Sequence, residues 1–120
     1  MPLQIKRIYD AEAPEDGKRV LVDRLWPRGV SKERADLDGW FKDVSPSPDL
    51  RKWFGHQPER FEEFRGRYLL ELAHDADNAS KQSELQQLRD WSKESMVTLL
   101  YGAKSPTINH AIVLLGFLEE

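Results

Sequence analysis

Cysteine is absent from the 120 residues of this chain. That excludes disulfides, thiolate metal sites and a thiol nucleophile, and it is compatible with a reducing cytoplasm. Histidine is scarce: His56, His74 and His110 are the three present, and none has the paired spacing of a metal site. No metal and no cofactor is therefore expected. No apolar run approaches the roughly 20 residues of a spanning helix. The start, Met1-Pro2-Leu3-Gln4-Ile5-Lys6-Arg7, lacks a long apolar stretch behind its charges and does not read as a signal peptide. A cytoplasmic protein without a membrane partner is expected. A glycine-rich phosphate loop is missing too, since Gly29 and Gly102 stand alone. Gly102-Ala103-Lys104-Ser105-Pro106 has no glycine after the serine, so it is not a nucleophile elbow.

The chain has no basic excess. Its net charge is −3; residues 1–67 hold 14 Lys+Arg against 13 Asp+Glu, and the remainder 4 against 8. A nucleic-acid binder more often shows a clear positive balance, so a mixed, solvated surface is the simpler reading. The length suits one domain, and 39% apolar residues suffice for one core.

What is present is organised around Arg19 to Leu25. Val20, Leu21 and Val22 are consecutive apolar residues, as in a strand covered on both faces. Trp26-Pro27 ends that strand, because proline cannot donate to a ladder and restricts the residue before it. Leu3 to Tyr9 reads as an earlier strand and Met96 to Tyr101 as a later one. The turn-rich residues 10–17 between the first two strands would permit a hairpin. Leu37, Trp40, Phe41 and Val44 have helical spacing, which predicts a short helix over 36–43 despite Gly39. Ser47-Pro48 opens a helix that Gly55 ends. Pro58 opens the next, with Phe61, Phe64, Tyr68, Leu69 and Leu72 as its stripe. Residues 74–79 read as a loop, Ser80 as the cap of a helix burying Leu85, Leu88 and Trp91, and Ser105-Pro106 as the start of an apolar last helix. The fold class expected is α/β: a small, mostly parallel sheet of three or four strands covered by helices, in a single domain.

The blocks Arg19-Val20-Leu21-Val22-Asp23-Arg24-Leu25-Trp26-Pro27-Arg28-Gly29, Leu50-Arg51-Lys52-Trp53-Phe54-Gly55-His56 and Thr98-Leu99-Leu100-Tyr101, with Asn109-His110-Ala111, resemble the YeaO-like family of bacterial and archaeal proteins. The resemblance covers essentially the whole chain. It implies a small cytosolic α/β domain and supplies no established activity. A more distant branch of the same superfamily is similar around the last helix, where it carries Asp-Pro, two variable residues, then Cys-His-Arg. Here Pro106 and His110 match, Asn109 stands at the cysteine and Ala111 at the arginine. That departure puts in doubt any thiol or metal chemistry carried over from that branch.

Three groups of residues offer chemistry. If the strands at 19–25 and 96–101 are parallel neighbours, ligands belong outside their C-terminal ends. There Arg24, Arg28 and Lys104 supply charge, and Ser105 and Thr107 supply hydroxyls beside a helix start, an anion cradle in outline. Trp26 and Asn109 complete this candidate ligand-binding set. Asp23 and His110 are the acid–base candidates for catalysis. Trp26, Trp53, Phe54 and His56, with Arg51 and Lys52, form a third group able to cover a ligand. The expected partner is a small anionic ligand. The sequence leaves open whether a reaction follows. The alternatives are a nucleic-acid-binding or regulatory module using Arg51, Lys52, Arg65 and Arg67, and a non-catalytic interaction domain docking through its Trp-Pro-Arg-Gly loop.

Overall fold

A computed structural model describes residues 2–74 and 78–119. Four strands, β1 Leu3–Arg7, β2 Lys18–Leu21, β3 Gly39–Trp40 and β4 Val97–Tyr101, form one sheet in the order β1-β4-β2-β3. Every pairing is parallel. β4 is central, with Val97 opposite Leu3 on one side and Lys18 on the other. The expected α/β class holds. The hairpin does not form, because β4 lies between the first two strands, so their short connection crosses it.

Side-chain alternation divides the sheet into two unequal faces. One face presents Val20, Val22, Val97, Leu99 and Tyr101 to the main core. Four helices cover it: α2 Pro48–Phe54, α3 Phe61–His74, α4 Ala79–Glu94 and α5 His110–Glu119. The other face presents Leu21 and Leu100 to a smaller core, with Ile8, Val30 and Ala35. Among the described residues, loops, the short turn Pro14–Asp16 and α1 Lys32–Ala35 cover that side. The rest of the thin face is polar, buried at Thr98, Asp16 and Arg19 and half-buried at Gln4 and Lys6: Gln4 donates to Thr98, Thr98 donates to the Asp16 carbonyl, and Asp16 receives Lys6 and Arg19.

The helix expected over 36–43 is not there. Leu37 and Trp40 pack on the thin side, whereas Phe41 and Val44 pack on the thick side. Asp36 is left-handed, with φ 46°, and ends α1. Gly39 is an edge-strand residue paired with Val20. β2 is shorter than expected, although the Val22 amide still bonds to the Leu100 carbonyl. β1 likewise ends at Arg7 and β4 begins at Val97. Ser47 caps α2 as expected, accepting from Leu50, and Gly55 closes it in the left-handed region. Asn78, not Ser80, caps α4, accepting from the Lys81 amide. In the loop expected over 74–79, residues 75–77 lie outside the described residues, and His74 and Ala79 belong to the flanking helices.

Candidate functional site

The site follows from the connections. After β2 the chain turns to the thin face, where Trp26 and Val30 pack. After β4 it turns to the thick face and enters α5. Two adjacent parallel strands whose continuations leave in opposite directions open a crevice at their C-terminal ends. A cavity of about 420 Å³ lies there, between residues 23–28 on one wall and Gly102, Asn109 and His110 on the other. Arg51, Phe54 and His56 from the end of α2, with Phe64 from α3, close a third side. A second cavity, about 510 Å³, shares His56, Gly102 and Ala103 with the first and reaches Lys104 and Ser105.

Asp23 ties the two strand ends together. Its Oδ2 accepts the Gly102 N–H at 2.8 Å. Its backbone carbonyl accepts the Trp40 indole N–H at 2.7 Å. Its Oδ1 lies 3.2 Å from His110 Nε2. That nitrogen is closer, at 2.9 Å, to the Val22 carbonyl. A carbonyl only accepts, so Nε2 carries the proton and gives it to Val22. Oδ1 is left beside the ring without a hydrogen bond. Burial pushes the Asp23 carboxyl above its ordinary range, and His110, the Gly102 N–H, Arg51 and His56 pull it partly back.

Arg24 presents a second anomaly. Among the described residues, the buried side-chain polar atoms lacking a hydrogen-bond partner are Asp23 Oδ1 and Arg24 Nε. Both residues line this cavity. Buried donors without acceptors are rare because each costs about 1–3 kcal/mol.

The other candidates divide. Trp26 is a rigid wall: its indole N–H donates to the Val30 carbonyl at 2.7 Å, and its ring meets Trp40 edge-on at 5.2 Å. Arg28 lines the same cavity with an exposed side chain. Lys104 and Ser105 line the second cavity instead. Thr107 lines neither cavity; it is exposed, with its hydroxyl 3.4 Å from that of Ser105. Ser105 does not cap the last helix. Its Oγ accepts the Ile108 N–H in a separate turn, and Asn109 caps α5 by accepting the Ile112 N–H. Asn109 also donates to the Ser105 carbonyl. It is 2% exposed, so its amide is consumed in structure although it borders the cavity.

In the aromatic group, Phe54 and His56 face the cavity and Trp53 does not. Adjacent residues on a helix diverge, and Trp53 instead lies under the Arg60 and Arg67 guanidiniums. Arg51, which the sequence placed in this group and also on the alternative nucleic-acid surface, lines the cavity. Arg67 of that same set is paired with Glu63. No local signal in the sequence brings Arg51 and Ser45 here; the placement depends on how α2 crosses the strand ends.

His56 adds strain. Its φ is 58°, directly after Gly55 at φ 54°. A residue with a Cβ in that region costs roughly 1–2 kcal/mol relative to ordinary backbone. His56→Gly is therefore expected to leave unfolding stability unchanged or raise it by up to ~1 kcal/mol in urea titration. A clear loss would show that the imidazole has a structural role.

Among the described residues no group of three or more metal-ligating side chains stands together. No described helix is long and apolar enough to cross a membrane.

Comparison with known proteins places this arrangement in a family. The chain is 45% identical to the "Uncharacterized protein YeaO" of Escherichia coli (strain K12) over 120 residues, covering 100% of this chain and 99% of that protein. It is 42% identical over 117 residues to the "Uncharacterized protein Rv3073c" of Mycobacterium tuberculosis (strain ATCC 25618 / H37Rv), covering 98% and 93%. The "Uncharacterized protein Mb3100c" of Mycobacterium bovis matches equally. No solved structure matches significantly. The family model described as "Inactive DUF488-N3 subclade" matches residues 2–120. The chain thus belongs to the inactive DUF488-N3 subclade, among YeaO-like proteins.

Proposed function

We propose that the cavity at the ends of β2 and β4 binds a small anionic ligand and does not turn it over. The observation that carries this reading is Arg24 Nε, a buried N–H with no acceptor, in a cavity that Arg28, Arg51 and His56 also line. Asp23 is the one carboxylate in the lining, and its Oδ2 is already bonded to Gly102, while Glu84 outside the lining lies within electrostatic range of Arg24. An oxyanion supplies the missing acceptor and suits guanidinium geometry.

Asp23 and His110 serve here as positioning residues. The Nε2 proton of His110 is given to the Val22 carbonyl, not to the cavity. The description of the family as inactive and the structural use of Asn109 support binding without chemistry. In this reading the protein works in the cytoplasm, with which the cysteine-free sequence is compatible.

The test is thermal unfolding in phosphate or sulfate against chloride at matched ionic strength. Ligand at a hundredfold excess over Kd adds about 2.7 kcal/mol, a rise of several degrees in Tm. Arg24→Gln and Arg51→Gln are each expected to remove that rise, and Arg28→Ala, at the exposed rim, to reduce it. Equal melting temperatures in all three salts would sink the reading.

A further inference from the structure

We propose that the natural ligand is an organic oxyanion with a flat, apolar body of about aromatic-ring size, its charged group at Arg24 and Arg51 and its body against Trp26 and Phe54. This inference rests on the anion-binding reading and specifies the ligand class.

The cavity holds about 420 Å³. A bare phosphate or sulfate displaces only a few waters of ~30 Å³ each, and sites of roughly 300–1,000 Å³ accommodate organic molecules. A lone inorganic anion would leave most of the space to water. The walls are wrong for that water, because Leu25, Trp26, Pro27, Pro46, Phe54 and Phe64 contribute apolar lining.

Those walls are also already in place. Phe54 stacks on Phe64 at 4.3 Å with 20° between planes. Trp26 is fixed by its bond to Val30 and its contact with Trp40. Fixed aromatic faces lose little side-chain entropy on binding, so they favour a flat partner. Leu25 is 61% exposed beside them and lines the same cavity. A large apolar side chain left in water at a cavity mouth has surface to bury when an apolar body enters. The same lining carries cations, with Arg24 just after β2 and Arg51 on α2, beside this apolar surface. The ligand is therefore amphipathic, with an anionic group and a ring.

The experiment is calorimetric titration of the full chain with phosphate, phenyl phosphate, acetate, benzoate and phenol. Phenyl phosphate is expected to bind at least about tenfold more tightly than phosphate, the gain six ring carbons bring at ordinary ligand efficiency. Benzoate against acetate distinguishes a carboxylate ligand from a phosphoryl one by which pair binds more tightly. Phenol is expected to bind least. Arg51→Gln should weaken phosphate and phenyl phosphate by the same factor. Trp26→Leu should remove the ring's gain and leave phosphate affinity unchanged. Leu25→Asn, at an exposed position, should reduce the same gain even where Trp26→Leu folds poorly.

Phosphate and phenyl phosphate binding alike would overturn this inference and leave the anion site standing. An equal ring gain in wild type and both wall variants would overturn it too, since the ring would then lie elsewhere. Binding of phenol as tightly as phenyl phosphate, or no binding by any anion, would overturn the anion reading along with it.

Discussion

Gly17→Ala is expected to cost roughly 2–4 kcal/mol, combining left-handed backbone strain of ~1–2 kcal/mol with a packing clash of similar size. Gly17 has φ 63° and ψ −130°, a combination reserved for glycine. A Cβ there would stand 2.2 Å from the Met96 carbonyl oxygen. That oxygen accepts the Lys18 N–H at 2.9 Å, the bond that starts the β2–β4 pairing. The methyl group cannot be accommodated without opening this bond, and backbone atoms cannot swing aside as a flexible side chain would. Urea unfolding measures the loss; a change below about 1 kcal/mol would refute the steric argument. Gly66→Ala is the internal control. Gly66 is an exposed residue within α3, with nothing within 4 Å of its added Cβ, and the substitution should stabilise by up to ~1 kcal/mol through helix propensity.

The Asp16-Gly17 pair was legible as a turn, but the closeness of Met96 was not, because it is set by a strand 80 residues away. The same division runs through the molecule. Helix α2 was legible from Ser47, Pro48 and Gly55, since caps act locally. The apolar run in β2 announced a strand covered on both faces, and it is one; that in β4 announced a strand. Leu37, Trp40, Phe41 and Val44 misled because their helical spacing arises from residues facing two different cores. A two-residue edge strand has no period to detect. Ser105-Pro106 repeats the pairing that works at Ser47-Pro48, yet Asn109 is the residue that adjoins the uninterrupted apolar run and caps it.

The cavity's position was legible for a topological reason. Groups beyond the C-terminal ends of two parallel neighbouring strands are brought to one place, and Asp23, after β2, and His110, opening α5 beyond β4, do meet. Its composition was legible only in part. Arg24 and Trp26 come with the strand, but Arg51 and His56 arrive on an independent helix. Whether an arginine is paired depends on every acid within reach, so the orphaned Nε of Arg24 could not be read from the sequence at all. The thin face of the sheet was likewise hidden: no local signal marks Arg19 and Asp16 as partners, yet they are 3% and 2% exposed and bonded to each other.

That buried pair leads to the second large effect. Asp16→Ala is expected to destabilise the protein by roughly 3–5 kcal/mol, the usual result of removing one partner from a buried ion network. Asp16 is 2% exposed. It accepts from Arg19 Nη1 at 2.6 Å, from Lys6 Nζ at 3.0 Å and from the Ala13 N–H at 3.1 Å. Without it, Glu12, 4.0 Å from Arg19 Nε and itself exposed, is a weak substitute. Burial alone would raise the Asp16 carboxyl, but the bonds from Lys6, Ala13 and Arg19 outweigh it and hold the group below its ordinary range. A carboxyl lowered by folding binds fewer protons in the native state than in the unfolded one. Its stabilisation is therefore complete above the unfolded value of about 3.9 and is lost as pH falls through the lower native value. Asp23 has the opposite sign: raised mainly by burial, it favours the native state at low pH and loses that contribution as pH rises. The gap in urea stability between wild type and Asp16→Asn isolates Asp16 from Asp23, which both proteins share. That gap should hold level from pH 7 down to about pH 5 and shrink as pH falls from there toward about pH 2. A gap that stays constant across this range would mean that the Asp16 charge contributes nothing and that its hydrogen-bonding shape alone holds the thin face together.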